Sequence, residues 1–357
     1  MLFRSGVDVD IITGRPLVAR PRFRVDRAIT VLRSPYARDF VYRFQRKRGF
    51  GRLTMLALHL DEEWFCRAAW RRIAAAPNAP DLVHAHALHQ AARLRRGDMP
   101  VVITLPGPPN RRYHLDLAQA DALVADGWAA DHLPDQIGRH VDRVTKGVDA
   151  HHFRPDGPSM RNTLRLDGKR VVLTVARLVP IKRVSMLVDA FASVREGNGD
   201  AHLLIVGDGP EALPLRQRAH GLGIADAVTF TGAVPFDQAP AFYRAADVFA
   251  LSSSFDNSPN VVLEAMASGL PVVSTEVGGV AEFLNPPAGG LIVPTEGVGA
   301  LAAAILRFVD DLPAAVAAGE HNRQRAAVGF SWRASTLQLF GVYQRAIAER
   351  EQVRATA

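Results

Sequence analysis

The sequence predicts an α/β protein made of two Rossmann-like, doubly wound domains that face a central cleft. Its 357 residues are too many for one ordinary core and suit two domains of roughly 150–200 residues. Short continuous apolar runs alternate with segments of helical period, as in a parallel sheet that is buried on both faces. A Pro/Gly-rich stretch from Arg154 to Gly168 forms a linker between the two halves.

The linker sets the expected domain limits. We expect a first domain over residues 1–160 and a second over residues 161–331. A long amphipathic segment, 332–352, follows the last expected strand, and we expect it to pack back on the first domain.

Strands and helices are expected to alternate through both halves. Strands are predicted at 7–12, 81–85, 100–104, 122–125, 141–145, 171–175, 202–206, 228–230, 248–251, 271–274 and 291–293. Helices are predicted near 36–48, 61–76, 87–96, 110–119, 127–133, 183–195, 211–220, 237–246, 260–268 and 299–309. Ligands of open α/β sheets bind beyond the carboxyl ends of the strands, so the loops that follow strands are the candidate sites.

The composition excludes several classes of protein. With 48% hydrophobic and 22% charged residues, the chain is neither disordered, collagen-like nor stapled by disulfides. No apolar run approaches the roughly 20 residues of a membrane-spanning helix, and we expect no secretory signal. The single cysteine, Cys66, cannot form an internal disulfide. We therefore expect a cytoplasmic protein.

The net charge of +7 is concentrated at the N-terminal end. Residues 1–60 hold thirteen Lys or Arg and four Asp, whereas the remaining chain holds thirty basic and thirty-two acidic residues. Such a region attracts polyanions, and we expect peripheral contact with the anionic inner face of a membrane, and no nucleic acid. A basic face exposed only to solvent is the alternative.

Two cations follow the expected strand 171–175. Arg177 lies in the loop and Lys182 is expected at the start of the next helix. A guanidinium that binds oxygens in a fork and a mobile ammonium together suit a diphosphate. The alternative is a solvated helix start, although a cation is unfavourable in the first turn of a helix.

A glycine motif follows the strand 202–206. Gly207, Gly209 and Ala212 fit G-x-G-x-x-A, the loose dinucleotide fingerprint, so an NAD-dependent enzyme has to be considered. That fingerprint requires an acidic residue about 20 residues later, at the end of the next strand. Here that strand ends in Thr231, which disfavours NAD. The glycines then allow backbone to approach a ligand, or simply make a tight turn.

The loop after the strand 248–251 carries two acidic residues eight positions apart. Asp256 lies before the helix that begins near Asn260, and Glu264 lies about one turn inside it. The free amides of a helix N-terminus bind a phosphate, a carboxylate accepts hydrogen bonds from a ribose diol, and Asp256 can hold sugar hydroxyls. The spacing alone is more typical of a helix cap or a solvated face.

An ordered set of motifs resembles glycosyltransferase family 4, the retaining enzymes of GT-B fold that use nucleoside diphosphate sugars. The resemblance begins near residue 80 and covers most of the chain. Its motifs are DLVHAH, TKGVDAHHFRP, ARLVPIKR, VGDGP, DNSPNVVLEAMASGLPVVST, EVGGVAE and FSW.

The resemblance implies roles at the matching positions. Arg177 and Lys182 would neutralise the donor diphosphate, and Asp256 would contact the transferred sugar. The implied donor-binding residues are Gly207, Asp208, Gly209, Ser258, Asn260, Val261 and Glu264, with Glu264 on the nucleotide ribose. The implied reaction is retaining transfer of a hexose to a saccharide, lipid-linked or small-molecule acceptor, without a metal or other cofactor. The first domain would bind the acceptor and the second the donor.

The chain departs from the family pattern at three places. Asp256 replaces the usual Glu, and Pro106 stands where a histidine usually follows the strand 100–104. The strand, Gly-rich loop and helix that usually precede the strand 7–12 are missing, so we expect a first domain shortened at its N-terminus. These departures leave a catalytically impaired sugar-nucleotide-binding relative as an alternative.

Two sequence patterns resemble metal-binding motifs, but a structural role explains each of them better. His84, His86 and His89 form an H-x-H-x-x-H, but we expect His84 and His86 to pack or to line the cleft, with a catalytic substitute for the histidine absent at Pro106 as an alternative. Asp8 and Asp10 match D-x-D, although alternation on an early strand explains them as well. We therefore expect no metal site.

Overall fold

The computed structural model of the protein describes residues 11–15, 29–33, 51–107 and 114–356. These residues form two compact units. The first contains the described residues up to Ala125, His132–Val144 and the chain from Thr336 onward, and the second contains Asp126–Asp131 and Thr145–Ser335. Compactness alone does not define a domain that folds by itself, so the limits expected at residues 160 and 331 stay a prediction.

Twelve strands occur in the described ranges. In chain order they are β1 Ile11–Arg15, β2 Ile29–Arg33, β3 Val83–His86, β4 Val101–Leu105, β5 Ala122–Ala125, β6 Asp142–Arg143, β7 Arg170–Val175, β8 Ala201–Val206, β9 Val228–Gly232, β10 Val248–Leu251, β11 Val272–Thr275 and β12 Gly290–Val293.

Eleven α-helices occur in the same ranges. They are α1 Gly51–Ala74, α2 His114–Leu117, α3 Gly127–Ile137, α4 Val184–Gly197, α5 Ala212–Gly221, α6 Ala239–Tyr243, α7 Asn260–Ala267, α8 Val280–Leu284, α9 Val298–Asp310, α10 Leu312–Gly329 and α11 Trp332–Thr356. None of them combines the length and the apolar composition needed to cross a bilayer.

The second unit is built on a six-stranded parallel sheet in the order β12-β11-β10-β7-β8-β9. Successive residues of β7 and β8 point to opposite faces: Val172 and Leu203 belong to one apolar core, and Val171 and Leu204 belong to the other. Both faces are therefore buried, which explains the continuous apolar runs of the sequence.

The strand order of this sheet reverses at β7. The chain begins the sheet at β7, adds β8 and β9 on one side, and then adds β10, β11 and β12 on the other. Ligands of such sheets bind outside the carboxyl ends of the strands, at the point of reversal. In this unit that point lies between the ends of β7 and β10.

The first unit contains a four-stranded parallel sheet, β3-β4-β5-β6, and a parallel pair, β1-β2. The part of α11 within this unit packs on the four-stranded sheet, where Tyr343 and Ala346 share a core with Val102 and Val124. The C-terminal segment thus covers one face of that sheet.

The helix predicted at 87–96 is wrong, because this segment forms a series of turns. Side chains of α1 hold it: the backbone amide of Gln90 donates to Glu62 Oε1 at 2.9 Å, and Trp70 Nε1 donates to the Ala91 carbonyl at 2.9 Å. Ala87 has a positive φ of 55°, which also interrupts a helix. Tertiary contacts therefore replace the helical hydrogen bonds here.

Other elements differ in extent. The strand expected at 141–145 shrinks to β6, and the helix expected at 237–246 shrinks to α6. No predicted element corresponds to β2, α8 or α10, and most apolar residues of α10 are alanines that define no clear apolar stripe. The helix expected at 36–48 and most of the strand expected at 7–12 lie outside the described residues.

Candidate functional site

The loop after β7 carries the first two predicted site residues. Arg177 is exposed, and no described residue accepts a hydrogen bond from its guanidinium. Lys182 ends a single 3₁₀ turn, Pro180–Lys182, and Arg183 follows in the left-handed region with a φ of 47° before α4 begins. Lys182 therefore lies one short turn before the helix at whose start the sequence analysis expected it.

Lys182 and Asp256 meet at the reversal point of the sheet. The Lys182 ammonium donates to Asp256 Oδ2, and the Ser253 hydroxyl donates to the same oxygen at 3.2 Å. The two paired side chains are 16% and 18% exposed. The amide of Ser254 also donates to the Ile181 carbonyl at 2.9 Å, so the loops after β7 and β10 are joined through backbone as well.

The glycine motif packs against the loop that carries Arg177. A Cβ on Gly207, whose φ is +133°, would lie 1.9 Å from the Ala176 carbonyl oxygen. A Cβ on Gly209 would lie 2.3 Å from the Leu178 carbonyl oxygen, and the Leu178 amide donates to the Asp208 carbonyl at 2.9 Å. The two glycines let one strand-end loop approach the other closely, and Asp208 between them is exposed.

Ser258, Asn260 and Val261 lie around the start of α7. Ser258 is 4% exposed, and its Oγ atom has no hydrogen-bond partner among the described residues. Asn260 is exposed and Val261 is half-buried. No side chain caps α7, and the Val262 amide donates to the Pro259 carbonyl at 3.1 Å. The amides of Asn260 and Val261 therefore remain available to an anion.

Glu264 lies one turn inside α7 and is mostly buried. Burial raises the pKa of its carboxyl, while the hydrogen bond from Tyr243 and the charge of His152 oppose that rise. The fully buried Tyr243 hydroxyl donates to Glu264 Oε2 at 2.7 Å. The hydrogen bond fixes one carboxylate oxygen and leaves Oε1 as an acceptor for a vicinal diol.

His84 and His86 belong to the first unit. The His84 ring lies between Tyr343 Oη, 2.5 Å from Nδ1, and Thr104 Oγ1, 2.6 Å from Nε2. Burial is the main reason why the pKa of His84 falls to about 4, with the charge of His86 adding to it. The Nδ1 contact thus joins the sheet to α11, and the Nε2 contact joins two neighbouring strands of the sheet. His86 ends β3 and is exposed, and its expected place in a cleft stays a prediction.

The described ranges contain no cluster of three or more His, Cys, Asp or Glu side chains that could hold a metal ion. Asp8 and Asp10 lie outside the described residues. Cys66 is buried in α1.

Two partners of the site residues escaped the sequence analysis. Ser253 supports Asp256 and belongs to the Ser run directly after β10, so the rule about strand ends could have found it. Tyr243 supports Glu264 from α6, more than 20 residues earlier, and no local pattern marks it.

The comparisons with known proteins point to the same region. The family model described as "Glycosyl transferases group 1" matches residues 169–311. The match runs from the start of β7 to the end of α9 and includes every site residue of the second unit named above.

Two curated relatives resemble the chain in sequence. A GDP-mannose-dependent alpha-(1-6)-phosphatidylinositol monomannoside mannosyltransferase of Mycobacterium tuberculosis is 37% identical over 202 residues, which are 54% of this chain and 52% of that protein. A D-inositol 3-phosphate glycosyltransferase of Acidothermus cellulolyticus is 35% identical over 290 residues, 74% of this chain and 62% of that protein. The chain thus spans about half the length of the first relative and 62% of the second.

One solved structure shows the fold. The sucrose-phosphate synthase of Thermosynechococcus elongatus superimposes with a TM-score of 0.77 at 21% identity, over 98% of this chain and 91% of that chain. This likeness, together with the three parallel sheets of the described residues, confirms the predicted α/β fold class of GT-B type.

Proposed function

We propose, because residues 169–311 match the model of the glycosyl transferases group 1 family, that this chain belongs to that family and transfers a hexose from a nucleoside diphosphate sugar to a hydroxyl acceptor. The transfer retains the configuration of the sugar. The acceptor is a saccharide, a lipid-linked molecule or a small polyol.

The observation that carries the proposal is the arrangement at the ends of β7 and β10. One exposed guanidinium, Arg177, and one paired ammonium, Lys182, follow these strands together with the carboxylate of Asp256. Glu264 presents a carboxylate oxygen one helical turn away from the free amides of α7. Cations, amides and a diol acceptor are the groups that a nucleoside diphosphate needs.

Each residue then has a step to perform. Arg177 and Lys182 stabilise the negative charge that grows on the diphosphate as its bond to the sugar breaks. Asp256 orients the sugar hydroxyls, and Glu264 holds the ribose. The acceptor oxygen attacks the anomeric carbon on the face that the diphosphate leaves, and its proton passes to the departing phosphate oxygen. Closure around the substrates excludes water.

Charge neutralisation by Arg177 and Lys182 makes a metal ion unnecessary, so we propose a reaction without a metal or other cofactor. The nicotinamide alternative loses support, because Gly207 and Gly209 face protein carbonyls at distances that leave no room for a Cβ. These contacts explain why glycine is needed at both positions without a bound dinucleotide.

The relatives support a choice of donor and acceptor to test first. One is named as GDP-mannose-dependent with a phosphatidylinositol monomannoside acceptor, and the other as acting on D-inositol 3-phosphate. We propose GDP-mannose as the first donor and a lipid-linked or free inositol derivative as the first acceptor.

A lipid-linked acceptor fits the charge of the N-terminal end. We propose that the chain acts in the cytoplasm and that the thirteen basic residues of its first 60 bring it to an anionic membrane face. Co-sedimentation with liposomes should rise with their content of anionic lipid and fall with salt. Binding that ignores lipid charge would remove this part of the proposal.

The decisive experiment separates transfer from binding. Full-length protein is incubated with GDP-mannose, UDP-glucose and UDP-N-acetylglucosamine, each with inositol and lipid-linked acceptors, and product and released diphosphate are measured. We expect transfer from one donor. Pro106 follows β4 and has no side chain that can move a proton, so binding of a donor without any turnover would favour the impaired alternative.

A further inference from the structure

Three residues outside the expected site hold the loop that carries Asp256. We propose that Asp126, Lys146 and Asn257, here called the loop clasp, position the segment Asp256–Ser258 for sugar transfer. The inference rests on the proposed function, and it assigns roles to residues that touch neither the diphosphate nor the ribose. All three clasp residues belong to the second unit.

The side chain of Asn257 is hydrogen-bonded at both ends. Its Oδ1 accepts from the Ala129 amide at 2.8 Å, and its Nδ2 donates to Asp126 Oδ1 at 2.8 Å. An amide that is fixed at both the oxygen and the nitrogen has one orientation, and it holds the backbone between Asp256 and Ser258 with it.

The backbone of Asn257 is fixed as well. Its carbonyl oxygen accepts from the amides of Trp128 at 3.1 Å and Gly279 at 3.2 Å. Gly127 and Gly278 have φ values of +50° and +49°, and a Cβ on either would lie 2.0 or 2.3 Å from that oxygen. The two glycines thus let two separate stretches of chain close on one peptide group.

Lys146 completes the clasp by binding the next peptide group. Its ammonium donates to the Ser258 carbonyl at 2.9 Å and lies 3.5 Å from Asp126 Oδ2. Asp126 is 7% exposed. Its Oδ1 accepts the hydrogen bond from Asn257, and its Oδ2 accepts no hydrogen bond from the described residues but forms the ion pair with Lys146. One carboxylate therefore links the two contacts that hold the loop.

The clasp holds the residues that contact the sugar but not those that bind the nucleotide. Arg177 and Glu264 bind the nucleotide part of the donor from outside the clasp. Asp256 and Ser258, which flank Asn257, contact the sugar.

Lys182 is paired with Asp256 but is also held separately, because the Ser252 hydroxyl donates to its carbonyl oxygen at 3.1 Å. Loss of the clasp should therefore displace the sugar contacts and leave the diphosphate contacts of Arg177 and Lys182 largely intact. A displacement of about 1 Å near reacting atoms can lower a rate by about 10²-fold.

The test compares four full-length proteins: wild type, Lys146→Met, Lys146→Arg and Lys169→Met. Methionine keeps the stem and removes the ammonium, while arginine keeps a donor for the Ser258 carbonyl. Lys169 is the matched control, because its side chain is 37% exposed against 39% for Lys146 and its only ionic partner among the described residues is Asp200.

Three quantities are measured on each protein: kcat and KM for the donor, Kd for the free nucleoside diphosphate, and amide hydrogen exchange in residues 126–131 and 254–262. In Lys146→Met we expect kcat to fall at least about tenfold, the diphosphate Kd to stay within about twofold, and exchange to rise in both segments. Lys146→Arg should recover most of the activity, and Lys169→Met should match wild type.

Two results would overturn the inference alone. One is an active wild type whose Lys146→Met variant behaves like Lys169→Met. The other is a Lys146→Met variant that loses diphosphate affinity and kcat in parallel, as a general structural defect would cause. A wild type that neither binds nor turns over any donor would contradict the proposed function, and the inference would fall with it.

Discussion

At the scale of single residues, the two cations of the site differ in their surroundings. Arg177 has no ionic partner among the described residues, whereas Lys182 is paired with the mostly buried carboxylate of Asp256. A free cation is available to a diphosphate at once. A paired cation also compensates the charge of its carboxylate, so its removal lowers stability as well as binding.

We therefore expect Arg177→Ala and Lys182→Ala to have similar effects on activity but different effects on stability. Both should lower kcat/KM by about 10²–10³-fold, because each removes a charge that stabilises the leaving diphosphate. Only Lys182→Ala should also lower the free energy of unfolding, by about 1–3 kcal/mol, since Asp256 then keeps Ser253 alone as its partner. Steady-state kinetics and urea denaturation measure the two effects. Full activity in both variants would show that the assigned roles are wrong.

Glu264 illustrates a conflict between binding and stability. Burial raises the pKa of its carboxyl, so folding favours the protonated form. The stabilisation from protonation is complete at low pH and is lost as the pH rises through the raised pKa. Ionisation of the buried carboxyl thus costs stability, although a ribose diol needs the carboxylate as an acceptor.

Glu264→Gln should accordingly raise the melting temperature of the free protein at pH 7 and weaken diphosphate binding at least about tenfold. Tyr243 can still donate to the amide oxygen, so the packing around it is kept. Differential scanning calorimetry and titration calorimetry measure the two quantities. A variant that is less stable at pH 7, or that binds the diphosphate normally, would contradict this role.

At the scale of elements, the loop after β7 depends on close backbone packing. The Ala176 carbonyl lies against Gly207, whose φ of +133° is rarely adopted by other residues. We expect Gly207→Ala to lower the free energy of unfolding by at least about 2 kcal/mol and to reduce transfer by displacing Arg177. Gly199→Ala is the matched control, because no atom lies within 4 Å of its added Cβ. Equal stability of the two variants in urea denaturation would refute the argument.

The packing of α11 on the first unit's sheet should depend on pH. The pKa of His84 is lowered from 6.5 to about 4, so the fold favours the neutral ring. Its contribution to stability is present above pH 6.5 and is lost as the pH falls towards 4. His84→Gln should flatten this part of the stability profile, while His140→Gln, at an exposed histidine of the same unit, should leave it unchanged. Identical profiles for wild type and His84→Gln would contradict the assignment.

The sequence predicts the strands of the second unit well, because their signals are local. The apolar runs of β7 and β8 and the helical period of α7 need no partner to be recognised, and the rule about strand ends leads directly to Arg177 and Asp256. The turns at 87–96 could not be predicted, since side chains of α1 hold them from a distance in sequence.

The same limit explains which site residues were missed. Tyr243 and Asn257 matter through contacts with residues that are about 20 to 130 positions away. Hydrogen bonds of this kind leave no periodic pattern in a single sequence. Lys146 lies within the motif TKGVDAHHFRP, but nothing in the sequence indicates its contact with Ser258, which lies far away along the chain.

At the scale of the whole molecule, the candidate donor residues all lie in the second unit, within the stretch that matches the family model. Recognition of the nucleoside diphosphate should thus depend on residues 169–311. We expect the choice of acceptor to depend on residues outside this stretch, because the two curated relatives are named for different acceptors.

The central claim is that these residues bind a nucleoside diphosphate. The most direct test is the thermal shift of the full-length wild type and Glu264→Ala with GDP, UDP, ADP and NAD. A ligand at one hundred times its Kd should stabilise the wild type by about 2.7 kcal/mol. The account predicts this shift with one diphosphate, GDP first, its loss in Glu264→Ala, and no shift with NAD. Stabilisation by NAD, an equal shift in the variant, or no response to any of the four would contradict it.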